Sequence, residues 1–142
     1  MNYTIESIAD FCKGKTQIAF PGSTVTRINI DHRVAKRDNA LFAAIKGARF
    51  DGHDFIPELL DLRCHHFLVS DEKIAKRYEG QANFIIVDDM IPALQLIAKE
   101  HRDNYSLPVL AITGSNGKTI VKEWLNTLLE SEFKICRSPK SY

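Results

Sequence analysis

The run Val109-Leu110-Ala111-Ile112-Thr113-Gly114-Ser115-Asn116-Gly117-Lys118-Thr119 decides how this chain is read. Its four leading apolar residues predict a strand, its two glycines a loop, and Lys118-Thr119 the entry to an amphipathic helix over 120–129. Strand, glycine loop and helix together make a phosphate cradle. Gly114 and Gly117 let the backbone turn and approach a ligand where a Cβ would collide. Successive N–H groups then face one concavity, to which the helix adds its unpaired N–H groups and the positive end of its dipole. Lys118 reaches the outer phosphates as a point charge, and the Thr119 hydroxyl can ligate Mg²⁺. One departure matters. The general Gly-x-x-x-x-Gly-Lys-Ser/Thr pattern puts glycine at 112, where this chain has Ile112, and its first glycine is Gly114. A plain glycine turn before a chance Lys-Thr competes poorly, because strand, glycines, Lys-Thr and helix all agree.

Elements alternate in type upstream of the loop. Ile5, Ile8, Ala9 and Cys12 recur at helical spacing and predict a short amphipathic helix. Residues 25–30 alternate and predict a strand, and the apolar run 41–45 predicts a buried one. Asp54 is read as the cap of a helix through 62, with Pro57 in the first turn, where its missing N–H does no harm. Strands are predicted at 66–70 and 83–87, with a charged helix over 72–78 between them. Asp89-Met90-Ile91-Pro92 echoes Asp54-Phe55-Ile56-Pro57 and starts a helix to about 102, with Ile91, Leu94, Ile97, Ala98 and His101 on one face.

The polar, proline-ended stretch 104–108 is the domain boundary. It separates an α/β sheet domain over 1–105 from a second unit over 106–142. That unit reads as strand, loop, helix to about 131, strand over 133–137 and a turn-like tail over 138–142. The loop begins about 30 residues before the last residue, too few for the rest of a nucleotide-binding domain, so the unit is expected to be a truncated one. Ile120, Val121, Trp124, Leu125, Leu128 and Leu129 form an apolar stripe that must pack on the first domain, pack on another chain, or stay disordered. Self-association through that stripe is thus open to the chain.

Composition bounds the function. The 142 residues include 44% apolar ones, enough for a real core. Nineteen basic against 18 acidic residues give a net charge of +1, which offers no handle for nucleic acid or an anionic membrane. No apolar run approaches the roughly 18 residues of a spanning helix, and the N-terminus lacks a signal-peptide profile, so a cytoplasmic location is expected. Cys12, Cys64 and Cys136 are odd in number and far apart, reading as reduced thiols. His32, His53, His65, His66 and His101 show no metal-ligand spacing. His65-His66 reads as a strand entrance.

With these residues in hand, the loop 111–119 resembles the phosphate loop of the Mur ligases, which has the Gly-x-x-Gly-Lys-Thr form. Folyl ligases share such a loop but begin close to it, whereas over 100 residues precede it here. Asp31-His32-Arg33, the run 41–47 and Arg49-Phe50-Asp51-Gly52-His53 resemble the N-terminal domain of the branch that adds D-Ala-D-Ala. The runs 119–125 and 137–142 are most similar to a variant of that branch fused to a C-terminal alanine racemase; pyridoxal phosphate would go with such a fusion, outside this chain. The resemblance spans nearly the whole chain.

The resemblance implies a small mixed-sheet domain that binds the UDP end of UDP-N-acetylmuramoyl-tripeptide, followed by the first strand–loop–helix unit of an ATPase domain. It implies an ATP-dependent, Mg²⁺-assisted amide ligase of peptidoglycan synthesis working through an acyl phosphate. Gly114, Ser115, Asn116, Gly117, Lys118 and Thr119 would hold the triphosphate, Lys118 catalytically at the β/γ-phosphates and Thr119 on the Mg²⁺. Asp31, Arg33, Gly47, Asp51, Gly52 and His53 would lie near the UDP. Two positions depart from the family: His32 where serine is usual, and Asn39-Ala40 where Gly-Asp is usual. On this reading the chain is an N-terminal portion of the ligase, without turnover of its own. A non-catalytic UDP-sugar or nucleotide-binding module is the competing class, and a small phosphate-loop kinase a weaker third, because it needs a full sheet after Thr119. Asp51-Gly52 is also a common turn dipeptide, and Asp31 with Arg33 also fits an exposed ion pair.

Overall fold

The computed structural model describes residues 1–34 and 39–138. It divides into two compact units, Met1–Tyr105 and Ser106–Tyr142. The part of the expected tail from position 139 onward lies outside the described residues.

The first unit is an α/β fold around a mixed five-stranded sheet. Its strands are β2 (Lys15–Gln17), β4 (Arg27–Asn29), β5 (Ala40–Ala43), β6 (His66–Val69) and β7 (Asn83–Ile86), in the order β2-β7-β6-β5-β4. The last four run parallel, and β2 is antiparallel to β7 at one edge. A separate two-stranded antiparallel pair joins β1 (Tyr3–Thr4) to β3 (Thr24–Val25). Helices cover both faces of the sheet, so its three central strands, β5, β6 and β7, are buried and largely apolar. Leu41, Ala43, Leu68 and Ile85 point to the face covered by α1 (Ile5–Cys12) and α4 (Met90–Asp103). Their neighbours Phe42, Phe67, Val69 and Phe84 point to the face covered by α2 (Ile56–Asp61) and α3 (Glu72–Arg77). This alternation is the two-residue period of the strand.

Four sequence expectations need correction. The single strand over 25–30 is two strands, because β3 pairs with β1 while β4 pairs with β5, so the chain changes sheets at Thr26. The second helix is not capped by Asp54. Asp51 caps a 3₁₀ turn over Gly52–Phe55 by accepting the His53 N–H, and α2 follows directly with Pro57 near its start. The buried face of α4 is Met90, Ala93 and Ile97, with Leu94 partly packed, while Ile91 is exposed. The helix is turned by its packing on α1, which puts the unbranched Met90 and the small Ala93 inside and leaves the β-branched Ile91 outside. Its cap is Asp89, which accepts the Ile91 N–H at 3.1 Å.

The fourth correction concerns the second unit. Among the described residues no strand forms at 109–112 or 133–137. A strand exists by its ladder to a neighbour, and within this unit nothing pairs with either run. Val109 and Leu110 are exposed. The helix does form, as α5 (Lys118–Leu129), with no residue of it buried. Trp124 is 68% and Leu128 72% exposed.

Candidate functional site

In the first unit a cleft of about 500 Å³ opens beyond the carboxyl ends of β4 and β5. That is where open α/β sheets bind ligands, since the loops leaving parallel strands converge there. One wall is the segment that follows β4: Ile30, Asp31, His32 and Arg33. The other is built from the loop after β5, through Ile45, Phe50, Gly52 and Phe55.

That loop is a tight hairpin. Lys46 and Asp51 form an antiparallel bridge, the Gly47 N–H donates to the Phe50 carbonyl at 2.9 Å, and the Gly52 N–H donates to the Ile45 carbonyl at 2.9 Å. Gly52 is required by contact. A Cβ there would lie 2.7 Å from the Ala44 carbonyl carbon and the Ile45 nitrogen, both backbone atoms that cannot move aside cheaply. Gly47 is under no such constraint, because a Cβ there would meet only the Phe50 oxygen at 3.5 Å.

Asp51 and His53 fasten the hairpin to the sheet. Asp51 Oδ1 accepts the His53 N–H at 3.0 Å and lies 2.6 Å from His53 Nδ1. The Ser70 N–H, at the end of β6, donates to His53 Nε2 at 3.2 Å. An N–H cannot accept, so Nε2 is the acceptor and the ring hydrogen sits on Nδ1, facing the carboxylate. Desolvation acts to raise the Asp51 carboxyl, but the hydrogen bonds from His53 and the nearby charge of Lys46 outweigh it and hold the group below its ordinary value. The Lys46 ammonium stands 3.7 Å from Asp51 Oδ2. His53 itself is buried.

Asp31 and Arg33 form an exposed forked pair. Arg33 Nη2 lies 2.6 Å from Asp31 Oδ2, and Arg33 Nε lies 2.9 Å from Oδ1. The Arg33 N–H also donates to Oδ1, at 3.0 Å. The guanidinium beside it holds the Asp31 carboxyl down at about 2. Between them His32 stacks face to face on Phe55, with centroids 3.9 Å apart and planes 4° from parallel.

The six residues expected near a UDP therefore divide. Asp31, Arg33 and Gly52 line the cleft, while Gly47, Asp51 and His53 belong to the loop that builds it. Sequence reasoning missed Ile30, His32, Ile45, Phe50 and Phe55 as lining. Phe50 next to Asp51-Gly52 was the available signal, since a large apolar residue in a turn is out of place unless something covers it. It is 72% exposed.

The second unit holds the glycine loop. Gly114 has φ +150° and Gly117 φ +79°, conformations that L side chains rarely adopt. Gly117 is the N-cap of α5 and has no side chain to satisfy the first N–H groups of the helix. Lys118 Nζ donates back to the Gly114 carbonyl oxygen, so the ammonium already spans the loop. Ser115, Asn116 and Thr119 are exposed beside it. This donor set fits a phosphate chain. For Mg²⁺ the loop offers hydroxyls, Thr119 among them, and among the described residues no group of three acidic, histidine or cysteine side chains gathers to hold a metal.

Comparison with known proteins bears on both sites. A model of the Mur ligase family, catalytic domain, matches residues 24–102, which takes in the cleft and its loop and stops before the glycine loop. The UDP-N-acetylmuramoyl-tripeptide–D-alanyl-D-alanine ligase of Bacillus subtilis (strain 168) is 30% identical over 133 residues, covering 93% of this chain and 28% of that protein. Crystal structure I of MurF from Acinetobacter baumannii superposes with a TM-score of 0.80 at 28% identity, over 93% of this chain and 28% of that one. MurF ligase from Thermotoga maritima, solved in complex with ADP, gives a TM-score of 0.60 at 31% identity, over 76% of this chain and 24% of that one. The chain thus spans under a third of the length of these relatives.

Proposed function

The chain belongs to the Mur ligase family, and from that premise we propose that it carries two binding elements of a ligase joining D-Ala-D-Ala to UDP-N-acetylmuramoyl-tripeptide. The cleft of the first unit takes the UDP end of the acceptor. The glycine loop takes the phosphates of ATP. The observation that carries the proposal is the cleft: it lies at the carboxyl ends of β4 and β5, with an arginine and a stacked aromatic pair on its walls. A guanidinium suits a diphosphate, and a ring suits a base.

In the reaction proposed, a carboxylate oxygen of the tripeptide attacks the γ-phosphorus of ATP and ADP leaves. The amine of D-Ala-D-Ala then attacks the acyl carbon, inorganic phosphate leaves with the bonding pair, and the amine gives up a proton. This chain's residues meet the main electrostatic need of the first step, which is to neutralise charge on the phosphoryl oxygens. Lys118 brings a full charge, and the N–H groups around Gly114, Ser115, Asn116 and Gly117 bring partial ones. Mg²⁺ supplies further neutralisation when held by Thr119 and the phosphates. The UDP end of the acceptor takes no part in the bond changes, and binding energy at a non-reacting end positions the reacting one.

The reaction uses a cytoplasmic precursor, and no described helix is long and apolar enough to cross a membrane. The likeness of the runs 119–125 and 137–142 to the racemase-fused variant extends the proposal to a parent with a pyridoxal phosphate domain beyond the residues of this chain.

Calorimetric titration of the 142-residue chain with UDP tests the reading of the cleft. Saturable binding that weakens in Arg33→Ala is expected, whereas UDP that fails to bind, or binds equally to Arg33→Ala, sinks it. Titration with MgATP tests the loop, through loss of any binding in Lys118→Ala. Binding of UDP without ATP-dependent ligation in the intact parent would favour a non-catalytic module.

A further inference from the structure

We propose that His32 reads the base of the bound nucleotide, its imidazole serving as a stacking plate for the uracil ring. This rests on the cleft being the UDP site and adds the residue that recognises the base there.

Three observations carry it. The imidazole is held in a fixed plane by Phe55, 3.9 Å away and 4° from parallel. One face of the ring is thus covered by Phe55, and the half-buried side chain lines the cleft. Second, the backbone that presents it is tied by hydrogen bonds. Asp31 binds both the N–H and the guanidinium of Arg33, and its carbonyl accepts the Val34 N–H at 3.2 Å. Position 32 is therefore the middle of a tied turn, and its side chain reaches a ligand at low entropic cost. Third, the same cleft carries exposed apolar surface: Phe50 is 72% and Ile30 65% exposed. A planar base laid on the imidazole is the kind of group that covers such surface.

The sequence gives the proposal its point. A serine at position 32 could make a hydroxyl hydrogen bond to a ligand edge. Histidine stacked on Phe55 has its plane committed, and what it offers is a π-face. A π-face reads aromaticity, so the interaction should vanish when the base is no longer aromatic.

The test is a calorimetric comparison of the wild-type chain, His32→Ala and His32→Phe, each titrated with UDP and with the diphosphate of 5,6-dihydrouridine. Base stacking is worth roughly tenfold or more in affinity. His32→Ala should weaken UDP about tenfold, and His32→Phe should stay close to wild type. The dihydro analogue should bind the wild-type chain about tenfold more weakly than UDP and lose nothing more in His32→Ala. Equal UDP affinity in wild type and His32→Ala, or equal affinity of the wild type for the two diphosphates, overturns the plate and leaves the cleft standing. No saturable UDP binding by the wild type overturns the cleft and the plate together. If His32→Ala does not fold, the comparison of the two diphosphates on the wild type decides.

Discussion

His53 Nδ1 lies 2.6 Å from Asp51 Oδ1, and the far nitrogen of the same ring takes the Ser70 N–H at 3.2 Å. One imidazole thus ties the hairpin after β5 to the end of β6, the neighbouring strand. Replacing it with alanine takes the ring partner from the half-buried Asp51 carboxylate and from the N–H of the exposed Ser70, which costs about 1–2 kcal/mol. His53→Ala should lower the unfolding free energy by that amount in urea denaturation, and the Asp51 carboxyl should titrate higher than in the wild type. It should also weaken UDP binding although His53 lies outside the lining, because the hairpin that carries Phe50 loses its anchor. Unchanged stability together with an unchanged Asp51 titration would remove His53 from this role.

Gly52 and Gly47 make a controlled pair. Both lie in the same loop, but only at Gly52 would a Cβ collide with backbone, 2.7 Å from Ala44 and Ile45. Overpacking at a rigid site costs about 1–3 kcal/mol. Gly52→Ala should therefore destabilise by about that much, whereas Gly47→Ala should fall within about 0.5 kcal/mol of the wild type. Chemical denaturation of the two variants checks this. A tolerant Gly52→Ala would mean that the hairpin can lift off the strand end.

The Asp31 carboxyl is held at about 2 by the side-chain hydrogen bond from Arg33, then by the Arg33 N–H and its charge. The pair lies at the surface, so its worth is in presenting the turn and not in stability. Arg33→Gln keeps the N–H donor and removes the fork. The Asp31 titration, followed by carboxyl NMR, should then move up toward the ordinary carboxylate range. A titration that stays at about 2 would mean that the turn's own N–H groups set it.

How much of this was legible in the sequence depended on whether local pattern or distant contact chose the outcome. Ile5–Cys12 is a helix as its spacing demands, and the runs at 66–70 and 83–87 are strands because both faces of a covered sheet want apolar residues. Lys15–Gln17 carries no such pattern. It is an edge strand held by backbone pairing to β7, which side chains do not announce. The face of α4 and the break at Thr26 were decided by partners far away in sequence, α1 in one case and β1 against β5 in the other. At the cleft, Asp51-Gly52-His53 reads from sequence as a turn or a ligand contact. Only the approach of Ala44 and Ser70 shows that it braces the wall. The stack of His32 on Phe55 joins residues 23 positions apart and leaves no local signal.

A last prediction concerns pH. His66 is buried at the start of β6, directly opposite Asn83 on β7. Asn83 Oδ1 accepts the N–H groups of Ala19 and Phe20, and its Nδ2 donates to the Phe20 carbonyl, so the amide cannot flip. That fixed Nδ2 also faces His66 Nδ1 at 3.3 Å, which must therefore accept. Burial, first, and the neighbouring His65, second, lower the His66 pKa below its ordinary 6.5. Between that value and the lowered one the unfolded chain binds the proton and the folded chain does not. The unfolded state then holds more protons, and stability rises with pH across the window. The melting temperature should accordingly fall as pH is taken down through about 6.5, and the fall should level off once the folded ring protonates too. In His66→Phe, which keeps an apolar ring in the same place, the slope over that window should be flatter by up to one proton. Thermal melts of both proteins across the range decide it: an identical slope would assign the pH dependence to groups other than His66.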